Sequence, residues 1–189
     1  MGKGRRHLPR LGSCAYRGFA AIHWIHTIRD RDTGWLGTQF HGIFRELLLQ
    51  AAARYGLFCP VYCLMPDHLH LLWMGGGPAS NQKNASQFLR RHVNATLGAV
   101  RRGIRLQHQP YDHVLREDER QPATLDIVAQ YIAMNPVRAG LVAEIDARKY
   151  PYAGSLVLGY PDLCIRGEAF WPRFWKIYRG RLDAAEPTP

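Results

Sequence analysis

The sequence predicts an α+β fold: a ferredoxin-like split βαβ arrangement (RRM-like) built on an antiparallel sheet, with an added C-terminal helix that carries a tyrosine. Three observations lead there. Apolar, β-branched stretches alternate with stretches of helical periodicity in the order strand, helix, strand, strand, helix, strand, helix. The two middle strands are separated only by Pro66 and Asp67, which marks a tight hairpin. At 189 residues with 47% apolar content, the chain is long enough to bury one sizeable core.

Taken in order, residues 18–28 (GFAAIHWIHTI) are aromatic and β-branched enough for a strand. Residues 40–56 place Phe40, Ile43, Phe44, Leu47 and Leu48 at helical spacing, with Gly56 as the C-terminal cap. Residues 57–65 and 68–74 are the hairpin strands, and Cys59 and Cys63 fall on one face of the first by strict alternation. After the break at 75–78, residues 81–98 read as a second helix. Residues 104–116 read as a short strand and loop, and 122–135 as a third helix stopped by Pro136. Patterning weakens over 137–181. The expected organisation is a basic arm over 1–15, the main domain over 16–155 and an extension over 156–189.

The net charge of +10 and a pI near 9.8 favour a polyanionic partner, because Lys and Arg gain affinity by releasing counterions from phosphate backbones. The bases cluster: Lys3, Arg5, Arg6 and Arg10; then Arg90, Arg91, Arg101, Arg102 and Arg105; then Arg173, Lys176, Arg179 and Arg181. Arg90, Arg91, Arg101 and Arg102 are the candidate DNA contacts, with Trp24, Trp35, Trp73, Trp171 and Trp175 as candidate stacking surfaces for unpaired bases, although Trp73 points to the expected core and core packing is the better reading for most of them. Four cysteines without paired CxxC spacing argue against a disulfide scaffold, and no apolar stretch is long enough to span a membrane; a cytoplasmic protein is expected.

The chemistry concentrates in MPDHLHLLW. On a strand, His68 and His70 project to one face while Leu69, Leu71 and Trp73 enter the other, so two imidazoles converge as nitrogen donors for a divalent metal. Alone, the pair reads better as buried, hydrogen-bonded histidine than as a metal site. The third helix adds weight: Leu125, Val128, Ala129 and Ile132 form its core stripe, which leaves Tyr131 beside the stripe and Asn135 one turn on. Asn135 also has a plainer role in ending the helix before Pro136.

MPDHLHLLW followed by YIAMNPVRAGLV resembles the single-tyrosine HUH transposases of the TnpA-like superfamily, and most closely the REP-associated tyrosine transposases. The resemblance runs over roughly residues 16–155 and includes YDHVLR and YPYAGS. It implies that His68 and His70 are the metal pair, Asn135 the third ligand and Tyr131 the catalytic nucleophile, with Arg138 a phosphate contact. It further implies magnesium or manganese as cofactor, and single-stranded DNA with hairpin repeats as partner. The chemistry would be cleavage and rejoining through a 5′-phosphotyrosine, in a monomer or a homodimer. Asp67 departs from the Asn common before the first histidine and adds negative charge there. Two alternatives remain: a domesticated nucleic-acid-binding protein that no longer cuts, and a metal-dependent hydrolase in which water replaces the tyrosine.

Overall fold

The computed structural model describes residues 11–116 and 120–184; Lys3, Arg5, Arg6 and Arg10 of the expected basic arm, and 185–189 of the tail, lie outside the described residues. Five strands, β1 (Ala21–Thr27), β2 (Leu57–Met65), β3 (His68–Gly75), β4 (Tyr111–Val114) and β5 (Ala153–Leu156), form one sheet in the order β4-β1-β3-β2-β5. Every neighbouring pair is antiparallel. Helices α1 (Thr38–Tyr55) and α2 (Gln82–Val100) cover one face; α3 (Pro122–Ala133), the single turn α4 (Asn135–Arg138) and α5 (Phe170–Asp183) belong to the other side.

Because helices lie on both faces, β2 and β3 are apolar almost throughout rather than alternating apolar and polar. Trp24, Leu71 and Trp73 pack with Phe44, Leu48 and Leu89 beneath α1 and α2. Leu72 and Met74 pack with Leu125, Ala129, Ile132 and Phe174 beneath α3 and α5. One buried polar side chain holds the first layer together. Gln82 donates to the carbonyls of Ala20 (2.6 Å) and Trp73 (3.3 Å) and accepts from Trp24 Nε1 (3.1 Å), so α2 is tied by hydrogen bonds to two strands.

The local signals explain most boundaries. Gly56 caps α1 with φ of 64°, a left-handed conformation that costs glycine nothing. Asn81 caps α2 by accepting from the Asn84 amide. The β2–β3 hairpin turns at Pro66 and Asp67, as its sequence predicts. Ile43, expected in the α1 stripe, is instead 40% exposed, and the stripe is carried by Phe40, Phe44, Leu47 and Leu48.

Two expectations are corrected. Cys59 packs beneath α1 and Cys63 on the opposite face, because the strand register shifts on both sides of β2 around Pro60. Proline has no N–H to give to a ladder, so a bulge forms there and reverses which residues face which way. The third helix also ends earlier than its pattern suggested. α3 stops at Ala133, Met134 leaves helical geometry (φ −89°, ψ 1°), and Asn135 opens the separate turn α4. Pro136 has no N–H to give to the Ile132 carbonyl and its ring crowds that carbonyl, so the α3 ladder cannot run through it and the helix ends short of it.

The segment past 137 is more ordered than its pattern promised. α5 lays Phe170, Phe174 and Tyr178 into the second layer, and the Tyr178 hydroxyl donates to the Gly75 carbonyl at 2.9 Å. β5 pairs with β2 and covers what would otherwise be an open sheet edge.

Candidate functional site

Antiparallel pairing of β1 with β3 sets Ile25 opposite His70 and Thr27 opposite His68, which brings His23 diagonally alongside His70 on the α3 face. Four side chains then connect in a row. Asp67 Oδ1 stands 2.5 Å from His68 Nδ1; His68 Nε2 stands 2.9 Å from His70 Nε2; His70 Nδ1 stands 2.9 Å from His23 Nε2. The far oxygen of Asp67 accepts from Arg31 at 2.8 Å. The expected pair is thus the middle of a longer chain, and it is buried at one end: His70 is 4% and His23 8% exposed.

Burial governs the charge state of this chain. Desolvation, reinforced by His113 on the neighbouring strand, lowers the His23 pKa to about 4. Desolvation, then His23, His68 and Arg138, lower that of His70 to about 3. Both rings are therefore neutral at pH 7, the form in which imidazole offers a lone pair. Partial burial works against the Asp67 carboxylate, but hydrogen bonds from His68 and Arg31 outweigh it and keep its pKa below the ordinary value.

Tyr131 lies in the last turn of α3, 45% exposed, with its ring 6.3 Å from that of His23. Arg138, one turn past the helix break, folds back over it. Its guanidinium carbon lies 4.0 Å from the ring centroid, and its terminal nitrogen donates to the Tyr131 hydroxyl at 3.2 Å. The positive charge of the same guanidinium also helps depress His70. Asn135 is placed differently from a ligand reaching inward: its amide nitrogen donates to the carbonyls of Tyr131 (3.3 Å) and Ile132 (3.2 Å), capping the end of α3.

The donor set was tested for a divalent ion by its spacing. Two nitrogens held about 2.1 Å from one ion at right angles stand about 3.0 Å apart, and the Nε2 atoms of His68 and His70 are 2.9 Å apart. The pair fits. Among the described residues, no group of three or more His, Cys, Asp or Glu side chains converges to hold a metal, so further donors would be the Asn135 amide oxygen, substrate or water.

Of the candidate DNA residues Arg90, Arg91, Arg101, Arg102 and Arg138, Arg138 lies at this site and the other four do not. Arg90 and Arg91 line a cleft of about 870 Å³ with Lys83, Gln87, Asn94 and His108, on the α2 side of the sheet and so on the face away from the histidines. Arg101 pairs with Asp32 and Arg102 is exposed just past α2. A second basic cleft, about 1270 Å³, includes Arg54, Tyr55, Arg173, Lys176 and Arg181 at the Gly76 end of the sheet; Tyr55 lines both clefts. Trp24 and Trp35 are buried and cannot stack on bases, whereas Tyr111 at the β4 edge is 54% exposed. Sequence reasoning missed His23 as part of the site; its sign was an imidazole inside a buried strand that also carries His26.

No protein-family model matches the chain. It is 27% identical over 166 residues to a Haemophilus influenzae protein named "Putative REP-associated tyrosine transposase", a match covering 75% of this chain and 89% of the relative. Among solved structures, it resembles a REP-associated tyrosine transposase bound to a REP hairpin, at a TM-score of 0.60 and 18% identity, covering 81% of this chain and 82% of the other. The first likeness bears out in a curated relative the resemblance read from the two motifs; the second is a likeness of fold. No helix among the described residues is long and apolar enough to cross a membrane.

Proposed function

We propose that this chain is a REP-associated tyrosine transposase of the single-tyrosine HUH type, which cuts and rejoins single-stranded DNA beside hairpin repeats. The observation that carries the proposal is the meeting of an exposed phenol, a guanidinium on its hydroxyl and a chain of imidazoles on one sheet face. The strand order β4-β1-β3-β2 supports a ferredoxin-like frame beneath it, to which β5 and the tyrosine helix are additions.

The roles follow from chemistry. His68 and His70 offer Nε2 atoms at a spacing suited to magnesium or manganese, with Asn135 the candidate third ligand once its side chain turns from the helix end. A cation held there would bring positive charge to the non-bridging oxygens of a phosphodiester and orient it. Tyr131 supplies the nucleophile: its oxygen bonds to phosphorus as the bond to the 3′-oxygen breaks, the phenol proton leaves to solvent and the 3′-oxygen takes one up. Arg138, already on the hydroxyl, fixes its direction and meets the phosphate with a planar fork of donors. The product keeps the phosphodiester energy in the protein–DNA bond, so another 3′-hydroxyl can reverse the step and join ends. Arg90 and Arg91, on the opposite face, would hold flanking DNA rather than the scissile group.

A non-cutting DNA-binding protein of the same fold is the second reading, favoured by the side chain of Asn135 being occupied in capping α3. Purified protein incubated with labelled single-stranded DNA from hairpin repeats beside its own gene, with magnesium or manganese, separates the two. An SDS-resistant adduct that vanishes with Tyr131→Phe and with His68→Ala is expected. Tight binding without adduct in the unaltered protein would leave the binder, and cleavage that survives Tyr131→Phe would mean water is the nucleophile.

A further inference from the structure

We infer that His23 is a positioning residue for the cation site: its Nε2 accepts the Nδ1 proton of His70 and so releases the His70 Nε2 lone pair toward the metal. The inference rests on the proposed metal-dependent reading and adds to it a residue outside the HLH motif, on a different strand.

The argument is one of proton counting along the row. A neutral imidazole carries one proton, so one nitrogen donates and the other accepts. A carboxylate only accepts; Asp67 at 2.5 Å therefore fixes the His68 proton on Nδ1 and leaves its Nε2 as a lone pair. His70 Nε2, 2.9 Å away, then has two arrangements. Without a cation, it donates to His68, which leaves His70 Nδ1 to accept from His23 Nε2. With a cation between the two Nε2 atoms, both must be lone pairs, and the His70 proton has to sit on Nδ1. That nitrogen is buried, and the group 2.9 Å from it is His23 Nε2. His23 must then accept where it previously donated, moving its own proton to Nδ1. A buried N–H left without an acceptor would count against the metal-bound tautomer, which is how outer partners of ligating histidines control affinity.

Geometry supports this over simple packing. His23 lies on β1, next to the central strand β3, its ring is inclined 29° to that of His70 with centroids 5.1 Å apart, and the pairing of β1 with β3 holds the two rings in register. The first strand thus closes the far end of a chain whose near end is closed by Asp67. Both outer partners act through the ligand they touch rather than through substrate.

The test is manganese binding to the full-length protein, followed by the loss of the free-ion electron paramagnetic resonance signal, without DNA. His23→Leu removes the acceptor at similar size; His23→Gln restores one, since an amide presents an oxygen or an N–H as needed. His23→Leu is expected to weaken manganese binding roughly 10- to 100-fold, with His23→Gln recovering most of it. Nitrogen-15 imidazole spectra of the unaltered protein should show the His70 proton moving from Nε2 to Nδ1 as magnesium is added. Far-UV circular dichroism and thermal melts confirm that both variants fold. Equal manganese affinity in His23→Leu and the unaltered protein would overturn the role of His23 and leave the metal site standing. Equal weakening in both variants with folding intact would also overturn it, since packing rather than a hydrogen bond would then matter. No manganese binding by the unaltered protein would overturn the metal-dependent reading itself.

Discussion

On β3, Leu69, Leu71 and Trp73 sink into the layer beneath α1 and α2, while His68 and His70, interleaved with them, emerge on the face covered by α3 and α5. The first face is roofed by helices of 18 and 19 residues, about 27 Å each at 1.5 Å per residue. The second meets a helix of 12 residues, about 18 Å, which reaches the histidines only with its last turn. Apolar packing by Leu72 and Met74 fills the end of that face near Gly75, and imidazoles take the other end. One face maximises burial; on the other, burial stops where chemistry starts. Alternation along a single strand is enough to keep the two apart.

Substitutions on adjacent residues of β3 should therefore have opposite signatures. His70→Leu is expected to reduce adduct formation by on the order of 10³-fold while costing about 1–3 kcal/mol, less than a core cavity, because an apolar side chain of similar size fills the site but the buried His23 nitrogen loses its partner. A large drop in stability instead would mean the histidine row is a structural element. Trp73→Ala should do the reverse, costing about 3–5 kcal/mol in denaturant unfolding while the folded fraction still binds manganese. If metal binding fell in parallel with folded protein at low denaturant, the two faces would be coupled.

Gln82→Leu offers a finer test of the first face. It leaves the Trp24 indole N–H buried without an acceptor and removes a second donor from the Ala20 carbonyl, which still accepts from the Gly75 amide, so about 1–3 kcal/mol of stability should go with it. The pH dependence tests the second face. His23 and His70 have native pKa values of about 4 and about 3, below the ordinary 6.5, so the unfolded chain binds more protons between those values and 6.5. Stability of metal-free protein should be level above pH 7 and fall as pH drops from 6.5 toward 4, and His23→Gln should flatten that slope by about one proton. The smallest expected effect belongs to Arg138→Lys, which keeps the charge but loses the planar fork; an adduct rate lower by roughly 10-fold, with DNA affinity nearly unchanged, would fit a group that aims the phenol.

Much of this architecture can be read from sequence because its signals are local. The bounds of β2 and β3, the Gly56 cap and the stripe Leu125, Ala129, Ile132 follow from alternation, a left-handed cap and helical period. His68 and His70 are legible for the same reason. His23 is not, because its role depends on the register of β1 against β3, and nothing within β1 encodes that. The bulge at Pro60 defeats strict alternation, and α5 was obscured by Pro172, which at the first turn of a helix disturbs nothing. Its stripe of Phe170, Phe174 and Tyr178 was there to be found. The position of Asn135 depends on how far the turn before Pro136 unwinds, which composition does not decide.

The hairpin turn at Pro66 and Asp67 has a bearing on how the protein comes into being. Asp67, His68 and His70 are separated by one and two positions along the chain, so their contacts close almost without loss of chain entropy once β2 and β3 zip together. His23 lies 47 positions from His70, and Tyr131 arrives on a helix that emerges later still from the ribosome. The hairpin part of the site thus forms early, and the part that needs distant segments forms late. A nascent or misassembled chain carries the histidines without a phenol beside them, so the cleavage proposed above would be open to the finished fold alone.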